Sequence, residues 1–205
     1  MSLDQLPINL FNLVLLLVLA AGIYQGRRHG MSEELLGLLT WLGILFGSAL
    51  LYQPGAELIR QFTSVFSHLT CYLLAYVGGA ALIFLLFLGI KRALGGKLLG
   101  SDIFGRTEYY LGMGSGLVRF SCMLLAVLAL LNARYFNPTE VRAMQKFQDD
   151  VYGSNFFPTL HSAQATVFES SLTGPLIRQY LDFLLIKPTR VVNTQFKQKE
   201  YAFPQ

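Results

Sequence analysis

Four apolar segments, each about as long as a bilayer crossing, limit the folds open to this chain more than any other feature. They run from about Ile8 to Tyr24, Glu33 to Tyr52, Leu69 to Ile90 and Tyr109 to Leu131. A spanning helix needs ~17–25 predominantly apolar residues, because it rises ~1.5 Å per residue across a ~30 Å hydrocarbon core. In lipid every backbone N–H and C=O must find its partner within the protein, which favours helices. The expected fold is therefore an all-α integral membrane protein with four transmembrane helices. Composition agrees: the chain is 53% hydrophobic and 14% charged, with a mean hydropathy of +0.47, where soluble domains carry about 25% charge. The net charge of +4 is not a nucleic-acid footprint, since the Lys and Arg residues flank apolar segments and act on topology. The first segment lacks the basic flank of a secretory signal peptide, Asp4 being the one charge before it.

The basic residues are unevenly placed. The first and third connections hold Arg27, Arg28, Lys91, Arg92, Lys97 and Arg106, whereas the N-terminus has none and the second connection has Arg60. The positive-inside rule puts loops one and three in the cytoplasm and both termini outside it. Arg134, Arg142 and Lys146 after the fourth segment oppose this arrangement without outweighing the short loops. Pro54 to Ser67 predicts a short interfacial helix, with Ile59, Phe62, Val65 and Phe66 at helical spacing. The domain division expected is a transmembrane unit over residues 1–135 and an amphipathic helical tail over 136–205, disordered at its end. Asn137-Pro138 stops the fourth helix, and Thr139-Glu140 opens a new one through about Tyr152. Leu160, Gln164, Val167 and Ser171 mark another amphipathic stretch, which Gly174-Pro175 breaks. Leu176 to Leu185 then forms an apolar stripe too short to cross, suited to the membrane surface or a partner subunit. From Lys187 the chain turns polar and is expected to fray.

Polar residues inside apolar segments are the candidate functional groups. Arg119 lies near the middle of the fourth segment, where a lipid-facing Arg costs about 2.5–3.5 kcal/mol on insertion scales, so it requires a protein partner or a wet cavity. Glu108, Gly112, Ser115, Gly116 and Arg119 share one helical face. Gly112 and Gly116 have the small-xxx-small spacing that lets another helix approach closely. This face is either a polar seam lining a solute path or a packing groove with a structurally paired Arg. On the second segment, Ser32 can cap the helix and Glu33 suits its N-terminal dipole. Glu34 continues into a small and polar face through Gly37, Thr40, Trp41, Ile44 and Gly47, and Ala75, Gly78 and Gly79 make a comparable face on the third. Asn12, Tyr24, Glu34, Thr40 and Trp41 are the partners available to Arg119 by depth, with Glu34 within reach only if the Arg side chain leans toward the start of its helix.

Enzymatic readings fail on their residues. Gly112 to Gly116 lacks the serine-protease glycine two positions before Ser115, and His29, His68 and His161 lie at edges or in the tail. Gly95-Gly96-Lys97 lacks phosphate-loop spacing, and no His, Cys and acid cluster has metal-ligand spacing. Cys71 and Cys122 sit at depths differing by roughly 10 Å and read as two separate thiols. The expectation is a non-enzyme with no cofactor.

Two runs carry a family resemblance. His29 to Trp41, HGMSEELLGLLTW, resembles the basic-Gly-x-x-x-Glu-x-Leu…Trp signature of the colicin V production (CvpA) family, and Glu108 to Arg119, EYYLGMGSGLVR, is similar to its second signature. On this resemblance Gly30, Glu34, Trp41, Glu108, Gly112, Gly116 and Arg119 occupy signature positions, and Asn12 stands where many members carry Asp. His29 replaces a usual Arg or Lys, Glu33 a common basic residue, Glu108 an Asp, and Phe120 the Gly after the Arg. The resemblance implies a multi-pass protein of the bacterial inner membrane, linked to colicin V-type toxin production or export and to envelope robustness. Its partners would be the lipid bilayer and either further copies of itself or other envelope proteins, with no nucleic acid. An accessory or scaffold factor and a small oligomeric transporter using the polar seam are the two functional classes open.

Overall fold

The computed structural model describes residues 10–62, 66–94, 107–153 and 159–190. Three long helices make the bundle: α1 (Leu10–Phe62), α2 (His68–Leu94) and α3 (Glu108–Asn132). Each is long and apolar enough to cross a membrane. A straight helix of 53 residues would reach about 80 Å, more than twice a bilayer core. α1 is not straight. Gly30 has φ 75° and ψ 171°, a conformation essentially closed to residues with a Cβ. The helix folds back there into two arms, residues 10–29 and 31–62. Phe11 at the start of the first arm packs in one cluster with Tyr52 and Ala56 near the end of the second. The loop expected between the first two helices is therefore a single glycine. Arg27, Arg28 and His29 stay helical, and His29 Nδ1 donates to the Gln25 carbonyl at 3.0 Å.

The second arm also runs further than expected. Instead of a separate helix from Pro54, α1 continues through Pro54 to Phe62. Proline removes one helical hydrogen bond, but its fixed φ is compatible with a helix, so packing can hold it there. Ala56 is buried, and a Cβ placed on Gly55 would lie 3.2 Å from that of Ala75 on α2. α2 otherwise turns its apolar surface outward: 11% of its most apolar stretch is buried, and Leu82, Leu85 and Leu86 are exposed. Cys71 and Cys122 are buried free thiols.

The tail forms α4 (Pro138–Tyr152), α5 (Leu160–Phe168) and α6 (Gly174–Tyr180), then a 3₁₀ turn (Asp182–Leu184). Gly174-Pro175 opens α6 rather than only ending what precedes it, as suits Pro in a first turn. The stripe after it ends early and turns inward. Leu181 and Leu184 pack with Leu45, Cys122 and Ala126, and Leu185 and Ile186 join the cluster of Phe11, Tyr52 and Ala129. Leu181, Leu184, Leu185 and Ile186 thus cover this chain's own bundle, while Leu176, Tyr180 and Phe183 stay exposed. Nor does the chain fray at Lys187: β2 (Thr189–Arg190) pairs in parallel with β1 (Arg134–Tyr135), and Thr189 N donates to the Ala133 carbonyl at 2.9 Å. Asn132 at the end of α3 ties this junction, donating to the Ile186 carbonyl at 3.0 Å and accepting from Arg178 at 3.3 Å. The expected disordered end beyond Arg190, and Lys97 and Arg106 of the third connection, lie outside the described residues.

Candidate functional site

The site is built on glycines. Along the first arm Gly22, Gly26 and Gly30 recur every four residues and face Gly112 and Gly116 of α3. A Cβ on Gly112 would lie 2.5 Å from the Gly26 carbonyl, and one on Gly22 2.8 Å from the Gly116 carbonyl. Only hydrogen fits between backbones this close, which is how small residues let membrane helices associate. The order of contacts shows α3 antiparallel to the first arm, Glu108 beside Gly30 and Gly116 beside Gly22. Glu108 Oε1 accepts the Ser32 backbone N–H at 3.3 Å, fastening the start of α3 to the start of the second arm. Arg27 lies over the Tyr109 ring at 4.9 Å on the other side of the same junction.

The polar centre lies between the second arm and α3. Arg119 Nη1 donates to Glu34 Oε2 at 2.5 Å. Glu34 is 3% exposed and Arg119 21%. Side chains on a helix lean toward its N-terminus, so Arg119 reaches back along α3 to the level of Glu34, one turn past the fold-back. Gly37 makes room: a Cβ there would come within 3.3 Å of Nη1. His29 Nδ1 stands 3.7 Å from the other carboxylate oxygen. A buried ion pair repays its desolvation only with good geometry, and removing either partner strands a charge. Chemically this centre can hold the second arm and α3 in register.

Beside the pair lies a cavity of about 630 Å³ between the second arm and the end of α2. Arg119, Lys91, Glu33, Thr40 and Trp41 are among its lining residues, with Leu36, Phe87 and Leu88 supplying apolar wall.

The structure thus joins Glu34 to Arg119, Gly30 to Glu108, and Gly112 with Gly116 to the first arm. Trp41 borders the cavity and packs on the Leu45–Cys122 cluster. Asn12 lies ten residues before Gly22, about 15 Å along the helix, and takes no part in the Arg119 centre. Gly47 meets Ile83 of α2, whereas a Cβ on Gly78 would meet nothing within 4 Å among the described residues, so that glycine belongs to no packing face among them. Sequence reasoning passed over Gly22 and Gly26, although their four-residue spacing to Gly30 is the same signal that marked Gly112 and Gly116. It also passed over Asn132 and Arg178, where no spacing links residues 46 apart. Among the described residues no three His, Cys, Asp or Glu side chains gather as metal ligands would.

Helices of spanning length, glycine-packed around a buried ion pair, define a polytopic helical membrane protein. The chain belongs to the colicin V production protein family, whose family model matches residues 11–165. The match takes in α1 to α4, both signature runs and most of α5. No curated protein and no solved structure matches the chain significantly.

Proposed function

We propose that the chain is a bacterial inner-membrane protein that crosses the bilayer four times and serves colicin V-type toxin production or export as a non-enzymatic accessory factor. A role in envelope homeostasis belongs to the same reading. The four crossings are the two arms of α1, then α2 and α3. Gly30, Lys91 and Glu108 stand at one end of the bundle, which supports a common side for the basic first and third connections. The positive-inside rule makes that side cytoplasmic, with both termini outside the cytoplasm.

The observation that carries the accessory role is the closed seam. Backbones meet at the glycine contacts, so a solute has no width to pass between the first arm and α3, and Arg119 is tied to Glu34 of the second arm on the other side of α3. A transporter using that seam would have to part backbones that are in contact. The exposed apolar face of α2 instead offers a surface for another membrane protein or a second copy. The test is colicin V activity in the medium of a producing strain that lacks this chain. Secretion is expected to fall, to recover with the wild-type chain, and to be accompanied by crosslinked adducts from photoreactive residues at Leu82 or Leu86. Undiminished secretion from the deletion strain overturns the reading.

A further inference from the structure

The cavity between the second arm of α1 and the end of α2 is distinct from the closed seam, and its lining is two-sided. Lys91 is exposed at its rim and, among the described residues, has no ion-pair partner. Arg119 engages Glu34 through Nη1 alone, and its Nε is buried without a hydrogen-bond partner among the described residues. The remaining wall is apolar, with Leu36, Phe87 and Leu88 prominent. At helical rise, Ser32 to Trp41 extends about 13 Å, so the cavity runs from the level of the α2 end well into the apolar zone. A cation at the rim, unused guanidinium donors beside it and an apolar interior match an amphiphile with an anionic head. They do not match a hydrophilic ion, which would lose its hydration against the wall.

We infer that this cavity binds the phosphate headgroup and upper acyl chain of an anionic membrane lipid. Basic pockets between transmembrane helices suit such headgroups. A volume of about 630 Å³ lies within the ~300–1,000 Å³ of ordinary ligand sites, enough for a headgroup and part of a chain. Lys91 attracts the phosphate, Arg119 supplies donors below it, and Glu33 at the rim opposes it. The site does not depend on the accessory role, because its lining leaves out Leu82, Leu85 and Leu86, the α2 residues turned toward a protein partner.

Trp41 reports on the site from within, since it lines the cavity and is the one tryptophan in the chain. The full chain in neutral phosphatidylcholine nanodiscs would be titrated with phosphatidylglycerol or phosphatidylcholine, each brominated on its acyl chains. Trp41 quenching is expected at a clearly lower mole fraction of the anionic lipid. Lys91→Gln should reduce that preference about fivefold, the worth of one Lys near an anionic headgroup, and Glu33→Gln should increase it. Both residues are exposed, so the variants keep the fold. Inorganic phosphate should leave the quenching unchanged. Equal quenching by the two lipids, or a preference that neither substitution moves, overturns the assignment. Displacement of the brominated lipid by inorganic phosphate also overturns it, in favour of a free-anion site.

Discussion

A carboxylate that is 3% exposed inside an apolar helix has to be neutralised or paired, and Glu34 is paired with Arg119 across 85 positions of sequence. The need for a partner was legible from Arg119 alone, because a central Arg in an apolar segment must find an acceptor. Glu34 stood among the candidates on the condition that the Arg side chain reach toward the start of its helix, which it does. What the sequence did not reveal was the choice among them, which depends on how far α1 runs before it folds back. Glu34→Gln and Arg119→Leu should each destabilise the bundle by about 3–5 kcal/mol, since each leaves a buried charge or its acceptor unmatched. The double variant Glu34→Leu/Arg119→Leu should lose far less than the sum. Equilibrium unfolding in mixed micelles measures the cycle, and strictly additive losses would mean that the contact contributes nothing.

Among the elements, α3 and the first arm of α1 show how far spacing alone can be trusted. Small-xxx-small spacing identified Gly112 and Gly116 as a smooth face, and the structure covers that face with Gly22 and Gly26. The same kind of signal singled out Gly78, whose surroundings are open among the described residues. Spacing shows that a face is smooth, while the neighbour that covers it is a tertiary fact. Gly26→Leu or Gly116→Leu should therefore lower the thermal midpoint and the yield of folded protein sharply, because a bulky side chain would displace backbone. Gly78→Leu should leave both near wild type. Equal behaviour of the three variants in a detergent thermal-shift assay would contradict the close contact. Helix ends were less legible than faces. Pro54 looked like a boundary because proline usually ends helices, yet packing of Gly55 and Ala56 carries α1 past it. The tail stripe looked like a surface helix because its apolar residues had no visible cover, and for Leu181 and Leu184 that cover is the groove beside Leu45 and Cys122, while Leu176 and Tyr180 stay exposed.

At the scale of the whole molecule, one backbone conformation at Gly30 turns a 53-residue helix into two antiparallel arms around α3. The tail then closes the far end through Asn132, Ile186 and the short parallel pairing of β1 and β2. The membrane character and the long apolar segments were legible because bilayer thickness sets their length. The fold-back was less so, since Arg27 to His29 read as a loop while the structure keeps them helical up to the glycine. The central proposal is that the two arms of α1 each cross the membrane, so that the chain crosses four times. Single cysteines at Arg28, Glu57, Lys91 and Glu140, in a Cys71→Ala/Cys122→Ala background, test it by labelling intact and opened spheroplasts with an impermeant thiol reagent. The account predicts that Arg28 and Lys91 label only after opening, while Glu57 and Glu140 label in intact spheroplasts. Labelling of Arg28 and Glu57 from the same side would contradict it.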